Sequence, residues 1–386
     1  MPGESSRPSC LRRRKSMRKR FVFLFVLCFV LCCSCSFARQ KKDAPSLEEM
    51  AGAMIMTGFQ GTSAPPSVLE AVARGRIGGI ILFDKGKKAG ESYNIESPAQ
   101  LRALVSSLQH AAPRTLLVAV DQEGGRVRRL KAERGFFALP SAETMGRMKE
   151  AEVRDLGFRA GREMAALGIN VDLAPVVDLR ISPESPGLGD AGRLFGSDPA
   201  LVTRQALAFG EGLYRAGVLP ALKHFPGLGS AGKDSHHDLP DVTASWSEKE
   251  LLPYREAFRT GWPGMVLVAH IHHRGMDERL PSSLSPAVID GLLRRELGWD
   301  GVVISDDLQM GAVYKERSLE ERVRLAILAG NDILLFGNYL KPDPMLHEKV
   351  FQAVLDLVRS GEVSRERLEA SWRRIETMKA KLAGGL

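Results

Sequence analysis

Eight short apolar runs divide this chain into a repeating pattern: Met54–Thr57, Gly79–Phe83, Leu116–Asp121, Val171–Val177, Leu219–Lys223, Met265–His270, Gly301–Ser305 and Asp332–Phe336. Each is rich in Val, Ile and Leu with little polar alternation, the pattern of a strand covered on both faces. Helical patterns fill the intervals. Ser97-Pro98 opens one, with Leu101, Leu104, Val105 and Leu108 on a single face. Ser318 and Glu321 have capping-box spacing ahead of Val323, Ala326 and Ile327, and Gly330 is placed to stop that helix. Ser364 starts a last helix with Leu368, Trp372 and Ile375 on one stripe. Strands alternating with helices pair in parallel, and eight such units close into a barrel more readily than they extend an open sheet. The expected fold class is therefore α/β, a single (β/α)8 TIM-like barrel over residues 39–386, with no linker or second domain.

The segment ahead of the barrel has a different character. Residues 1–38 hold eight Lys/Arg and one Glu, so they supply nearly all of the formal net charge of +8; the remainder has 46 basic and 45 acidic residues. No basic domain is left to attract nucleic acid. A basic stretch over residues 12–20 precedes an apolar run from Phe21 to Cys33, which is too short to span a bilayer and matches a signal-peptide core. Ser36-Phe37-Ala38 resembles a cleavage site, and Leu31-Cys32-Cys33-Ser34-Cys35 resembles a relaxed lipoprotein signal. The expectation is an exported protein, periplasmic, secreted or membrane-anchored, whose one membrane contact is a lipid. All five cysteines (Cys10, Cys28, Cys32, Cys33 and Cys35) lie in this leader. The barrel thus has no disulfide scaffold, thiolate zinc site or cysteine nucleophile, and it suits an oxidising compartment.

Active-site groups of such a barrel belong at the C-terminal ends of its strands. Seven of the eight runs end in, or lead into, a polar or ionisable group: Asp84, Asp121, Asp178, Lys223-His224, His270, Asp306 and Asn338. After Lys223-His224, Gly227, Gly229 and Gly232 spell a formal GxGxxG, but polar residues and Pro240 follow instead of a helix. A pyrophosphate would find no helix N-terminus there, and a mobile loop over the barrel mouth fits better. Within that loop Asp234 stands two residues from His236, close enough to fix the imidazole tautomer and raise its pKa towards general acid/base use. Asp306 leaves a buried strand and suits a nucleophile, a metal ligand or a substrate acceptor equally, while Asp307 is placed to cap the next helix or turn. Asp121, with Arg129 eight residues on, suits a substrate rich in hydroxyls. His270-Ile271-His272 offers a zinc-type pair, but no complete ligand set has convincing spacing, so no metal is expected.

Taken together, Lys223-His224-Phe225-Pro226-Gly227, Asp234-Ser235-His236 and Ser305-Asp306-Asp307-Leu308 resemble the β-N-acetylglucosaminidase branch of glycoside hydrolase family 3. So do Asp121-Gln122-Glu123-Gly124-Gly125-Arg126-Val127 and Asp172-Leu173-Ala174-Pro175-Val176-Val177-Asp178. The resemblance implies a retaining exo-glycosidase that removes terminal β-linked N-acetylglucosamine or N-acetylhexosamine from cell-wall or chitin-type oligosaccharides. It implies Asp306 as nucleophile, forming a glycosyl-enzyme, with His236 as acid/base and Asp234 orienting it. It also implies that Asp121, Arg129, Arg193, Lys223 and His224 bind the sugar, without metal or organic cofactor. The expected partner is carbohydrate alone, and the expected state a monomer. Phosphorolysis of the same glycosides is the alternative, and a metal-dependent barrel hydrolase a more distant one. Leu228, where the family often has His, Asp84, where it often has a neutral or basic residue, and Arg193-Leu194-Phe195 depart from its pattern and bear on substrate preference.

Overall fold

All eight apolar runs carry strands. A computed structural model of the chain describes residues 44–86, 93–182, 187–189 and 191–383; the leader and its cysteines lie outside them. Residues 46–386 form one unit. Its main sheet consists of β1 (Ile55–Thr57), β2 (Gly79–Ile81), β3 (Leu117–Val120), β6 (Val171–Asp172), β7 (Leu219–Phe225), β8 (Met265–Val268), β9 (Val303–Ser305) and β10 (Leu334–Phe336). Neighbours in sequence are neighbours in space, every pairing is parallel, and β10 lies beside β1. A bridge between Ile304 and Ile333, with Ser305 N donating to Ile333 O at 3.0 Å, closes the ring.

The lack of alternation in the runs has a direct cause. Ile81, Ala119, Leu173, Leu267 and Leu335 pack into one apolar cluster, and the intervening Ile80, Val118, Val120, Val266 and Val268 pack into another with helix residues Leu101, Leu104 and Val105. Both strand faces are therefore dry. The helix Pro98–Ala111 begins at Ser97, whose hydroxyl accepts from Gln100 N, and it buries the four expected residues. Gly330 ends the helix Leu319–Ala329 with φ of 116°, a conformation that costs a residue with a Cβ. No described helix is long and apolar enough to cross a membrane.

Two features differ from the sequence reading. The fourth run pairs with β3 only over Val171–Asp172. Beyond that it meets β7 through scattered bonds such as Val177 N to Lys223 O, because Pro175 has no N–H for the ladder. A small antiparallel hairpin, β4 (Gln122–Gly124) with β5 (Val127–Arg128), also follows β3 directly and returns Arg129 towards Asp121.

The end of the barrel away from the strand C-termini is held by Asp332, which is fully buried. Its Oδ2 accepts from Arg294 Nη2 at 2.8 Å and Val303 N at 3.0 Å, and its Oδ1 accepts from Ser371 Oγ at 2.6 Å. One carboxylate thus ties the helices Ala287–Glu296 and Arg365–Ala383 to the sheet. Removing one partner of a buried ion pair strands the other's charge, at about 3–5 kcal/mol. Asp332→Ala should lower the urea unfolding free energy by about 3 kcal/mol or more.

Candidate active site

The strand C-termini open into a cavity of about 350 Å³, with Ile81, Leu173, Leu267 and Leu335 among its lining residues. That volume suits a small ligand rather than a macromolecule. Its wall holds all eight residues to which the resemblance gives a role: Asp121, Arg129, Arg193, Lys223, His224, Asp234, His236 and Asp306.

Five of them belong to one chain of alternating charges. Arg193 clamps Glu123 with Nε to Oε2 at 2.7 Å and Nη2 to Oε1 at 2.8 Å. Lys223 Nζ lies 2.6 Å from Glu123 Oε1 and 2.9 Å from Asp121 Oδ1. Arg129 Nη2 donates to Asp121 Oδ2 at 2.8 Å and its Nη1 faces Asp84 at 3.6 Å, while Lys131 Nζ reaches Asp84 at 2.6 Å. At the other end Arg193 Nη2 donates to His224 Nε2 at 3.4 Å, and His224 Nδ1 donates to Asp178 Oδ2 at 2.6 Å, which fixes that ring's tautomer. Burial alone would push both carboxylic acids up. The charges of Lys223 and Arg129 instead hold Asp121 well below the usual carboxylate range, and those of Arg193 and Lys223 hold Glu123 at about 2. Burial likewise works against the Lys223 ammonium, but Asp121 and Glu123 keep its pKa above the ordinary lysine value. The floor is thus a fixed array of charges, with donors and acceptors set before any ligand arrives.

Facing this floor is the loop that carries His236. Asp234 Oδ1 accepts from His236 Nδ1 at 2.8 Å and from His236 N at 2.9 Å. Burial lowers the imidazole pKa, but the Asp234 hydrogen bond and the negative charges of Asp234 and Asp306 outweigh it and leave it raised. Asp234 itself is held at about 2, chiefly by its hydrogen bond to His236. Asp306 leaves β9 with its N donating to Val268 O at 3.0 Å, and its Oδ1 accepts from Asp307 N at 2.8 Å. A proton-transfer group and an aliphatic carboxylate therefore share one cavity, with a charged floor between strands to hold a polar ligand.

The sequence is similar over residues 46–378 to the family model described as the glycosyl hydrolase family 3 N-terminal domain. The chain belongs to glycoside hydrolase family 3. Among relatives in this family, beta-hexosaminidase LpqI of Mycobacterium tuberculosis is 39% identical over 73% of this chain and 72% of its own length. Beta-hexosaminidase A of Pseudoalteromonas piscicida is 32% identical over 83% of this chain, which spans only 56% of that protein. The structure of a glycoside hydrolase family 3 beta-N-acetylglucosaminidase from Paenibacillus sp. str. FPU-7 superposes with a TM-score of 0.80 at 35% identity, covering 88% of this chain and 63% of the other.

Within this family 3 barrel, not every strand-end polar group faces the cavity. His270 is fully buried, with Nδ1 bonded to Ser283 Oγ at 2.6 Å and Nε2 to Asp307 O at 2.9 Å, so it packs and braces. Asn338 binds Gly58 O and Asp343 O. Asp178 sits behind His224 and also accepts from Leu228 N at 2.8 Å. Asp307 does line the cavity, but it also ties a turn: its Oδ1 accepts from Gln309 N at 2.9 Å and Gly337 N at 3.0 Å, and burial raises its pKa to about 6. Among the described residues no group of three or more His, Cys, Asp or Glu could hold a metal ion.

Sequence reasoning gave Glu123 no role of its own, and it read Asp178 as a strand-end group without pairing it to His224. For Glu123 a signal was present, since it lies two residues after Asp121 in extended chain and so on the same face. The pairing of Asp178 gave none, because His224 is 46 residues away. The departures also find their places: Leu228 and Asp84 both line the cavity, Asp84 neutralising Arg129 and Lys131. Glu123→Gln should lower the urea unfolding free energy at pH 7 by about 3 kcal/mol, because Arg193 loses its anion. The carboxylate's contribution is fully present above its ordinary pKa of 4.5 and is lost as pH falls towards about 2. The gap between variant and wild type should therefore narrow across that interval.

Proposed function

We propose that this protein is a retaining, exo-acting β-N-acetylhexosaminidase that removes terminal β-linked N-acetylglucosamine from cell-wall or chitin-type oligosaccharides. The observation that carries the reading is the shared cavity of Asp306 and His236, whose imidazole is held by Asp234 at 2.8 Å. The names of the relatives point the same way. The leader read from the sequence supports action outside the cytoplasm.

In the first step Asp306 attacks the anomeric carbon while His236 gives its Nε2 proton to the departing glycosidic oxygen, leaving a glycosyl-enzyme ester. In the second step His236 takes a proton from water, the water oxygen bonds to the anomeric carbon and the ester to Asp306 breaks. Asp234 holds Nδ1 throughout and stabilises the imidazolium. A neutral or cationic acid/base also avoids placing a further carboxylate opposite Asp306, where like charges would raise each other's pKa. Asp121, Arg129, Arg193, Lys223 and His224 hold the sugar hydroxyls on a floor that does not reorganise during reaction.

With aryl N-acetyl-β-glucosaminides, Asp306→Ala should lose several powers of ten in kcat/KM; wild-type turnover by that variant would sink the assignment. His236→Ala should lose about 10²–10⁴-fold on poor leaving groups and much less on activated ones, as expected when protonation is the step removed. The charge of Asp234 raises the His236 pKa, so the acid stays protonated to higher pH. Asp234→Asn should accordingly move the alkaline limb of the kcat/KM profile to lower pH, and an unmoved limb would show that another group sets it.

A further inference from the structure

The His236 loop is anchored at its start, where Leu228 and Ala231 pack among buried Val176, Leu188 and Ala269 and Gly229 O accepts from Ser182 N at 3.2 Å. Its base is held by Asp178, which accepts from Leu228 N, and by Glu250, which accepts from Gly229 N at 2.9 Å. Further along, the backbone hydrogen bonds that residues 231–239 make to distant chain, among the described residues, are two. Gly311 N donates to His236 O at 3.1 Å, and Ala312 N donates to Ser235 O at 3.3 Å. An exposed ion pair, Lys315 Nζ to Asp238 Oδ1 at 2.7 Å, lies at the outer edge of the same contact.

The docking segment is continuous with the nucleophile. Residues 306–311 leave the barrel at Asp306, and Leu308 N donates to Leu335 O at 2.9 Å, so the segment is fixed to the sheet. A Cβ on Gly311 would lie 2.2 Å from His237 O, 2.8 Å from His237 C and 2.9 Å from His236 O. These are backbone atoms of the loop and have no rotamer by which to yield. Gly311 has no left-handed φ, so backbone conformation does not demand glycine there. The close approach of the loop does.

We propose that Gly311 is a positioning residue: its missing side chain lets the His236 loop seat on the chain segment that carries Asp306, and so sets the acid/base in register with the nucleophile. This rests on the roles given above to Asp306 and His236. Any side chain at 311 lifts the loop by its main chain and takes His236 away from the departing oxygen, while Asp306, five residues earlier on the strand side, stays in place.

The test is kcat/KM for wild type, Gly311→Ala and His236→Ala over a series of N-acetyl-β-glucosaminides running from dinitrophenyl to alkyl or sugar leaving groups. This parameter reports formation of the glycosyl-enzyme, for which an activated leaving group needs no acid. Gly311→Ala should lose about 100-fold or more with the poor leaving groups and less than about fivefold with dinitrophenyl, following His236→Ala. Equal losses across the series, or no loss, would overturn the proposal. A His236→Ala variant with the wild-type leaving-group dependence would instead overturn the acid/base assignment on which it rests. If thermal melting shows that Gly311→Ala does not fold, Lys315→Ala decides, because it loosens the same contact from the surface. Its loss should be about two- to fivefold and confined to poor leaving groups, and an unchanged profile would count against the seating role.

Discussion

Lys223 brings a full positive charge to the end of a buried strand, and the cavity is organised around satisfying it. Its ammonium meets Glu123 at 2.6 Å and Asp121 at 2.9 Å, and each of those anions is in turn held by an arginine. A buried charge is tolerable only with such partners. Meeting that demand draws together β7, the hairpin after β3 and the long connection after β6. The rigidity of the floor is thus a consequence of electrostatics, and it is what allows polar groups to face a ligand without collapsing onto one another.

Against this fixed floor, the two groups proposed for the chemistry are held differently. Asp306 is carried by a barrel strand and its neighbours' hydrogen bonds. His236 is carried by a loop whose seating depends on one close backbone approach at Gly311. A carboxylate that must reach one carbon benefits from a rigid support. A proton-transfer group that serves first a leaving group and then water has reason to sit on a more adjustable one.

The two ends of the barrel divide the work. At the mouth, charges are arranged in a chain that faces a cavity; at the base, Asp332 ties Arg294, Ser371 and the sheet together. Both clusters bury carboxylates, and the upper one lines the cavity of Asp306 and His236. Barrels of this type commonly keep function at the strand C-termini and stability at the other face.

The strand count, their order of appearance and the identity of most groups at the mouth were legible in the sequence. These depend on local regularities: apolar runs without alternation, capping residues such as Ser97 and Ser318, and a change from apolar to polar at each strand end. The Asp234–His236 pair was legible for the same reason, being two residues apart. Tertiary structure alone decided the rest. Lys223 and Asp121 are separated by 102 residues, Arg193 and Glu123 by 70, and neither spacing carries a pattern. Whether a strand-end residue faces the cavity, as Asp306 does, or turns behind it, as His270 and Asp178 do, follows from the stagger and packing of neighbouring strands. The role of Gly311 was equally hidden, since a glycine required by the approach of a distant backbone is indistinguishable, in sequence, from one required by its own turn.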